Sequence, residues 1–301
     1  MVIRLSGAMS MLLHATAMPV AVGRLANALR PEQAAPDPAS RPRLPLLVLV
    51  FTQRRNVLRR KQQRATWLGF RWLHGEVRRK PPPVGGVQPV GWRYVFVQAR
   101  EASTEAGALD RVRGDVVTLS RVEEGYANLV YKTLEAVRWA LAHVSFEALL
   151  KTDDDTLVHI GRAGAWLATH SQPSLYAGRV FWDSQVIRSN FSKADLRHPE
   201  WFPPDFAKWA VPYDAFASAS GSYPPYCSGG GYLLGSAAAQ MVVKRHDARR
   251  GAARPVVRVE DAYVGILAAE SRLQPTDMAE LVQDPPVGRE QRRELFERQA
   301  S

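Results

Sequence analysis

Three groups of residues in this sequence could carry chemistry, and the first is acidic. Asp153-Asp154-Asp155 directly follows an apolar run of strand length. Adjacent carboxylates repel one another unless a cation or protons neutralise them. A hard divalent ion held by one or two carboxylates and by ligand phosphates would remove this repulsion. The triplet therefore indicates a Mg²⁺ or Mn²⁺ site, with a solvated acidic loop as the alternative.

The second group is a glycine-rich segment. Residues Tyr223–Gly235 combine two prolines, which fix a bend, with the triplet Gly229-Gly230-Gly231. Glycine lets the backbone approach a ligand closely or adopt a positive φ. No Gly-Lys-Ser/Thr follows, which excludes a P-loop. Two interpretations are equally open. The segment lines a ligand, or it forms a hairpin entry before a strand at Tyr232–Leu234.

The third group is the acidic pair Glu260-Asp261. It stands before the apolar residues Val264, Ile266 and Leu267, so it predicts the first turn of a helix. A carboxylate at that position could act as a general base. The alternative is a charge that only complements the helix dipole.

These groups need a scaffold that brings the ends of strands and the starts of helices together. The run Leu44–Thr52 predicts a strand buried on both faces, and Asn56 can serve as the N-cap of the helix that follows. Strands that alternate with helices favour a Rossmann-like α/β sheet. The other predicted elements are strands at Trp92–Gln98, Asp115–Leu119 and Phe146–Leu150 and a helix from about Asn128 to His143.

The composition is that of a globular protein with an excess of positive charge. The 301 residues include 40 Lys+Arg against 29 Asp+Glu, a net charge of +11. A short segment between Arg54 and Lys80 is strongly basic. This excess suggests an anionic ligand, a nucleic acid, an anionic membrane surface or merely a genome that favours arginine codons. The single cysteine, Cys227, excludes an internal disulfide and a multi-cysteine zinc site.

The N-terminal region differs from the rest. Residues Leu5–Gly23 contain no Asp, Glu, Lys or Arg, but polar residues interrupt the apolar stretch. Four interpretations are open: a short signal anchor, a cleaved signal, an amphipathic presequence or a soluble leader. The proline-rich stretch Arg30–Pro45 is typical of an extended linker. We therefore expect a leader and linker at 1–43, one domain at 44–285 and a charged tail at 286–301.

Five blocks of this sequence together resemble a known family. Residues 56–67 (NVLRRKQQRATW), 124–133 (EGYANLVYKT), 150–156 (LKTDDDT), 223–235 (YPPYCSGGGYLLG) and 260–265 (EDAYVG) occur in the order found in the β-1,3-glycosyltransferases. That family comprises β-1,3-galactosyl- and β-1,3-N-acetylglucosaminyltransferases. Each block alone is weak, but five in order over about residues 46–268 are specific.

The resemblance implies a fold, a reaction and a location. The fold would be GT-A, a mixed sheet flanked by helices in a single catalytic domain. The reaction would be the inverting transfer of galactose or N-acetylglucosamine from a UDP-sugar to a glycan hydroxyl in β-1,3 linkage, with Mn²⁺ or Mg²⁺ as cofactor. The enzyme would glycosylate proteins as a type II Golgi membrane protein with a lumenal catalytic domain, and the sequon at Asn190 would permit its own N-glycosylation.

The resemblance also assigns roles to residues of this chain. Asp261 would be the general base, and Asp155 with Asp153 would hold the metal. Acceptor-side candidates are Tyr226, Tyr232 and Glu260. Trp209 is a further acceptor-side candidate on residue type alone, because its aromatic face could hold a sugar ring, with loop packing as an equal alternative. The donor would meet Arg59, Arg64, Lys132, Asp153, Asp154, Gly229, Gly230 and Gly231.

One departure from the family pattern keeps other functions open. Family members usually offer a metal-binding histidine beyond the Glu-Asp block, whereas the last histidine here is His246, before Asp261. Water, Asp277 or Asp284 could take its place. A catalytically inactive paralogue that binds glycans is therefore one alternative. A basic nucleic-acid-binding protein is another, although no RNA-binding sheet or helix-turn-helix pattern accompanies the basic segment.

Overall fold

A computed structural model describes residues 43–68, 92–103, 110–199, 202, 204–253, 255–278 and 282–283. The predicted leader, most of the linker, the C-terminal tail and Asp284 lie outside the described residues. In the described part of the chain, no helix is long and apolar enough to span a bilayer.

The described chain alternates strands with helices. The helices are α1 (Val57–Ala65), α2 (Leu129–His143), α3 (Ile160–His170), α4 (Ser236–Gly251) and α5 (Glu260–Glu270). The longer strands are β1 (Leu44–Phe51), β2 (Trp92–Arg100), β4 (Val116–Glu123), β5 (Phe146–Asp153), β7 (Tyr176–Phe181) and β8 (Tyr226–Gly235). The short strands are β3 (Arg111–Arg113), β6 (Leu157–Val158), β9 (Thr276–Asp277) and β10 (Val282–Gln283).

Eight strands form one mixed sheet in the order β3-β4-β2-β1-β5-β8-β7-β9. Strands β4, β2, β1 and β5 are mutually parallel, whereas β8 runs antiparallel to β5 and β7. Phe51 of β1 lies beside Asp153 of β5, so these two strands end at the same level. Ligands of open α/β sheets bind outside such carboxyl ends, and the sheet therefore places the acidic triplet at its binding edge.

Strand β1 lies at the centre because its apolar run can be buried on both faces. Leu47, Leu49 and Phe51 pack on the side of α2, α4 and α5, and Leu46 and Val48 on the side of α1 and α3. The α/β class and the mixed sheet flanked by helices, both predicted from the sequence, are confirmed.

Two local features differ from what the patterns predict. Gly229–Gly231 lie inside β8, whereas one interpretation placed them in a hairpin entry before a strand at Tyr232. Asn56 does stand immediately before α1, but its side chain makes no capping bond. Its amide NH₂ group donates to the buried carboxylate of Asp154 at 2.9 Å.

Candidate active site

The three aspartates that follow β5 have different surroundings. Asp154 is buried, and its carboxylate accepts hydrogen bonds from Thr52 Oγ1 at 2.6 Å, Asn56 Nδ2 at 2.9 Å and Arg59 Nη1 at 2.9 Å. A buried carboxylate is stable only when it is paired in this way. Asp154, which the sequence predicts to bind the donor, thus fastens the segment between β1 and α1 to the end of β5.

Asp153 and Asp155 are the more accessible pair. The side chain of Asp153 is 35% exposed and lies 2.9 Å from Lys151 Nζ. The side chain of Asp155 is 45% exposed and lies 3.3 Å from Arg59 Nη1. Burial raises the pKa of Asp153 above its ordinary value, although Lys151 opposes the shift. Both carboxylates keep oxygen atoms that a ligand could reach.

Lys151 connects the acidic edge to the glycine strand. Its ammonium group is fully buried, donates to the Gly229 carbonyl at 2.7 Å and lies 3.6 Å from Glu260 Oε2. Although burial alone lowers the pKa of Lys151, Asp153 and Glu260 outweigh it and raise the pKa. Lys151 therefore remains charged inside the protein and holds three separate segments together.

Glu260 completes this buried network at the start of α5. One of its oxygens, Oε1, accepts hydrogen bonds from the Tyr232 hydroxyl at 2.7 Å and from Thr133 Oγ1 at 2.8 Å. Burial, reinforced by the Glu260 carboxylate, raises the pKa of Tyr232 well above its ordinary value. Glu260 and Tyr232, both predicted on the acceptor side, are thus bound to each other beneath the surface of the site.

Asp261 has a different environment from Glu260, its neighbour. It is partly buried, and its carboxylate accepts hydrogen bonds from the Gly229 amide and from its own helix at Ala262, both at 2.9 Å. Burial, together with the Glu260 charge, raises the pKa of Asp261 to about 6. A carboxylate with this pKa can accept a proton near neutral pH, as a general base must.

The approach of Asp261 to β8 depends on glycine. A Cβ atom at Gly229 would lie 3.1 Å from Asp261 Oδ2, closer than ordinary van der Waals contact. The neighbouring Gly230 carbonyl accepts from Thr152 Oγ1 at 2.8 Å. The glycine triplet, whose function the sequence left open, allows the strand and the carboxylate to meet.

Two further cations of the predicted donor site already have partners. Lys132 is buried, and its ammonium donates to the Glu124 carboxylate at 2.9 and 3.0 Å and to the Thr52 carbonyl at 2.7 Å. Burial lowers its pKa, although Glu124 opposes the shift. Arg64 forms a two-point ion pair with Asp115, at 2.7 and 2.8 Å. Donor contacts for both residues stay predictions.

The aromatic candidates divide between the interior and the surface. Tyr226 is buried, and its hydroxyl lies 2.9 Å from Ser184 Oγ. Trp209 ends the short 3₁₀ helix Phe206–Trp209 and lowers the pKa of the neighbouring Tyr126 hydroxyl. Burial raises the pKa of Tyr126, and the charge of Asp261 adds to the shift.

Tyr126 was missed by the sequence analysis as a functional residue. Its side chain is 51% exposed, yet it responds to the charge of Asp261 and contacts Trp209. Its place three residues before the first residue of α2, inside the second family block, was the available signal.

Two carboxylates, those of Asp153 and Asp155, are the candidate metal donors. Among the described residues, no group of three or more His, Cys, Asp or Glu side chains is arranged to hold a metal ion. His246 is buried on α4 and bonded to Tyr263, and Asp277 accepts from the Val180 amide at 3.0 Å. Asp153 and Asp155 still fit Mn²⁺ or Mg²⁺, because such ions are often held by one or two carboxylates together with substrate phosphates.

Comparison with known proteins identifies the family. The model of the galactosyltransferase family, described as "Galactosyltransferase", matches residues 58–279. Human beta-1,3-galactosyltransferase 4 is 28% identical over 92% of this chain and 74% of its own length, and the dog protein of that name is 29% identical over 83% and 67%.

Other relatives carry a second activity in their names. The human acetylgalactosaminyl-O-glycosyl-glycoprotein beta-1,3-N-acetylglucosaminyltransferase is 31% identical over 77% of this chain and 54% of its own length. A solved glycosyltransferase involved in the glycosylation of the major capsid of PBCV-1 is a distant likeness, with a TM-score of 0.39 and 12% identity over 84% of this chain and 98% of its own. The match to the family model covers most of the described residues and includes the Asp153–Asp155, Gly229–Gly231 and Glu260-Asp261 segments. The chain therefore belongs to the galactosyltransferase family of β-1,3-glycosyltransferases.

Proposed function

We propose that this chain transfers galactose or N-acetylglucosamine from a UDP-sugar to a glycan hydroxyl, forming a β-1,3 linkage with inversion. Family membership supports a sugar donor and a glycan acceptor, and the names of the relatives support these two sugars. The observation that carries the proposal is the carboxylate of Asp261. It has a pKa of about 6 and is linked through Gly229 and Lys151 to the carboxylates at the end of β5.

The proposed reaction is a single displacement. The acceptor hydroxyl oxygen forms a bond to the anomeric carbon while the bond from that carbon to the phosphate oxygen breaks, and UDP leaves with the electron pair. The hydroxyl proton passes to the Asp261 carboxylate. Because the attack is opposite to the leaving group, one displacement inverts the configuration and requires no carboxylate nucleophile.

The donor side would be formed around Asp153 and Asp155. These carboxylates would hold Mn²⁺ or Mg²⁺, which would neutralise charge on the diphosphate when bound. Arg59 stands beside Asp155 with its side chain 45% exposed, so a diphosphate oxygen could reach its guanidinium. Asp154 keeps the start of α1, which carries Arg59, in place.

The acceptor side would be formed by Tyr126 and Trp209. Aromatic faces bind the apolar faces of sugar rings, and the charge of Asp261 is felt at the Tyr126 hydroxyl. An acceptor ring placed against Tyr126 would therefore lie near the charge of the proposed base.

A Golgi membrane location with a lumenal catalytic domain is part of the proposal. It is supported by the resemblance to β-1,3-glycosyltransferases and by the exposed position of Asn190, the sequon asparagine.

The experiment that tests the proposed function is a donor panel. The chain is incubated with UDP-galactose, UDP-N-acetylglucosamine and UDP-glucose, with simple glycoside acceptors and Mn²⁺, and both UDP and the glycoside product are measured. We expect transfer from one of the first two donors. A folded protein that binds glycosides but releases no UDP with any donor would instead be an inactive paralogue.

The pH dependence of transfer should follow the ionisation of Asp261. The raised pKa means that this carboxyl is protonated, and inactive as a base, below about pH 6. At saturating donor, the rate should therefore rise with pH, by about tenfold per unit on the acid side, and level off above 6. Rates measured between pH 4.5 and 8 check this. A rate that already levels off at pH 4.5 contradicts the assignment.

Removal of one metal-binding carboxylate should weaken donor binding. We expect Asp155→Ala to raise the Mn²⁺ concentration needed for half-maximal transfer by at least about tenfold. Manganese titrations of the transfer rate, and UDP binding with and without EDTA, measure the effect. Asp214→Ala removes another exposed aspartate and should change neither quantity. Equal behaviour of the two variants would exclude Asp155 as a ligand.

A further inference from the structure

A second concave surface lies beside the proposed active site. It is a groove of about 790 Å³ between the end of β4, the outer face of α2 and the last turns of α4. Four of its lining residues are arginines, namely Arg100, Arg121, Arg138 and Arg250. We call it the arginine groove. None of its residues belongs to the sites predicted from the sequence.

The acidic residues of the groove are already engaged. Arg138 donates to both Glu135 and Asp247, and Arg100 donates to Glu123 at 3.3 Å. Such pairs neutralise the three carboxylates that line the groove. They also fix the two guanidinium groups as part of its wall.

Arg121 and Arg250 are left for a ligand. Both are exposed, one on β4 and the other near the end of α4. Among the described residues, neither has a hydrogen bond or an ion pair to an acidic side chain. Guanidinium groups form two-point hydrogen bonds with carboxylate and sulfate groups, so the two arginines favour an anionic ligand.

The arginines of the groove also act on a buried histidine behind its wall. His246 lies beneath Tyr131, with 6.4 Å between the ring centroids. Burial lowers the pKa of His246, and Arg138 and Arg250 lower it further, against the opposing charge of Asp247. The charges of Arg138 and Arg250 therefore act on a buried side chain behind the groove wall.

One turn of the chain connects the groove to the proposed acceptor side. Tyr126 and Asn128 belong to the same 3₁₀ turn, Tyr126–Asn128. Tyr126 faces Trp209 and the charge of Asp261, whereas Asn128 lines the groove and donates to the Glu123 carbonyl at 3.1 Å. An oligosaccharide that leaves the active site past Tyr126 would reach the groove within one turn of the chain. A polar groove with an aromatic ring, Tyr131, also suits sugar residues.

We propose that the arginine groove binds a carboxylate- or sulfate-bearing part of an extended oligosaccharide acceptor, with Arg121 and Arg250 as the ligand-binding cations. The acceptor role rests on the proposed function, but binding in the groove does not. The site would favour long acidic acceptors over short neutral ones without participating in sugar transfer itself.

The binding experiment uses the whole chain and calorimetric titration with four probes. These are a heparin-derived hexasaccharide, neutral maltohexaose, hexaglutamate and inorganic sulfate. We expect the hexasaccharide to bind more tightly than the other three and UDP not to displace it. Arg121→Glu/Arg250→Glu should weaken its binding at least tenfold. The matched control Arg113→Glu/Lys244→Glu makes the same change of charge at exposed positions outside the groove and should change binding less than threefold.

Each contrary result overturns a defined part of the proposal. Absence of hexasaccharide binding, or equal loss in both double variants, removes the groove as a specific site. Tighter binding of hexaglutamate assigns the groove to an acidic peptide, and displacement by UDP assigns it to the donor.

The acceptor role is tested separately, by transfer kinetics. Arg121→Glu/Arg250→Glu should raise KM for an acidic acceptor while kcat and the KM of a short neutral glycoside stay unchanged. Hexasaccharide binding without any transfer would uphold the groove and refute the proposed function.

Discussion

Asp261→Asn should lower the rate of sugar transfer by about 10²–10⁴-fold, the usual contribution of a general base. Asparagine has almost the same shape and can still accept one of the two backbone hydrogen bonds that Asp261 receives from Gly229 and Ala262. UDP binding should therefore be retained. The residual rate should also lose its rise with pH. The measurements are single-turnover transfer rates and calorimetric titration with UDP.

The same substitution should not destabilise the protein. Because the pKa of Asp261 is raised from 3.8 to about 6, protonation stabilises the folded state below about pH 4. This stabilisation is lost as the pH rises through 6. At pH 7 the ionised carboxylate therefore lowers the free energy of unfolding by up to about 3 kcal/mol. An asparagine at this position would remove that cost but would turn its NH₂ group toward one backbone N–H.

We therefore expect the free energy of unfolding of Asp261→Asn at pH 7 to be unchanged or raised by about 1 kcal/mol. Denaturant titration measures it, with Asp214→Asn as the control for the loss of an exposed charge. A variant that is inactive and also clearly less stable would indicate that Asp261 is mainly a structural residue. Full activity would refute the assignment of Asp261 as the base.

Lys151→Met should be the most destabilising of the proposed substitutions. It removes the fully buried cation that contacts Asp153, Gly229 and Glu260. Removal of one partner of a buried ion pair leaves an uncompensated charge and costs about 3–5 kcal/mol. Urea denaturation of the variant and of the unmodified chain measures the loss of unfolding free energy. Lys208→Met removes a lysine from an exposed pair with Asp205, 2.8 Å apart, and should cost less than about 1 kcal/mol.

A double variant separates charge from packing in this network. Lys151→Met/Glu260→Gln removes both buried charges, so it should recover part of the stability that Lys151→Met loses. Tyr232 and Thr133 can still donate to the glutamine oxygen. The single variant Glu260→Gln completes the comparison. If the losses of unfolding free energy in Lys151→Met and Glu260→Gln simply add in the double variant, Lys151 and Glu260 are not coupled, and the buried network does not organise the site as described.

The centre of the fold could be predicted because its patterns are local. An unbroken apolar run gives β1, and the apolar stripe along Leu129–His143 gives α2. The glycines of β8 were harder to place, because glycine ordinarily weakens a strand. They lie in the strand because Gly229 must admit Asp261, a residue 32 positions further along the chain.

The chemistry of the site was harder to predict because its contacts are distant in sequence. Nothing in Asp153-Asp154-Asp155 shows which carboxylate turns inward, since that depends on Thr52 and Arg59, about a hundred residues earlier. The sequence also does not show that Arg64, which is predicted to meet the donor, forms an ion pair with Asp115. The family blocks located segments that meet around Lys151 in the fold, whereas only the fold shows which side chains are committed to other protein groups.

The most direct test of the proposed function is the stereochemistry of the product. The chain is supplied with the UDP-sugar selected by the donor panel and a β-glycoside acceptor, and the product is examined by proton NMR. The new anomeric proton should show the large coupling of a β-linkage, and the linked carbon should be C3 of the acceptor sugar. An α-linked product would contradict the single displacement on which the role of Asp261 depends.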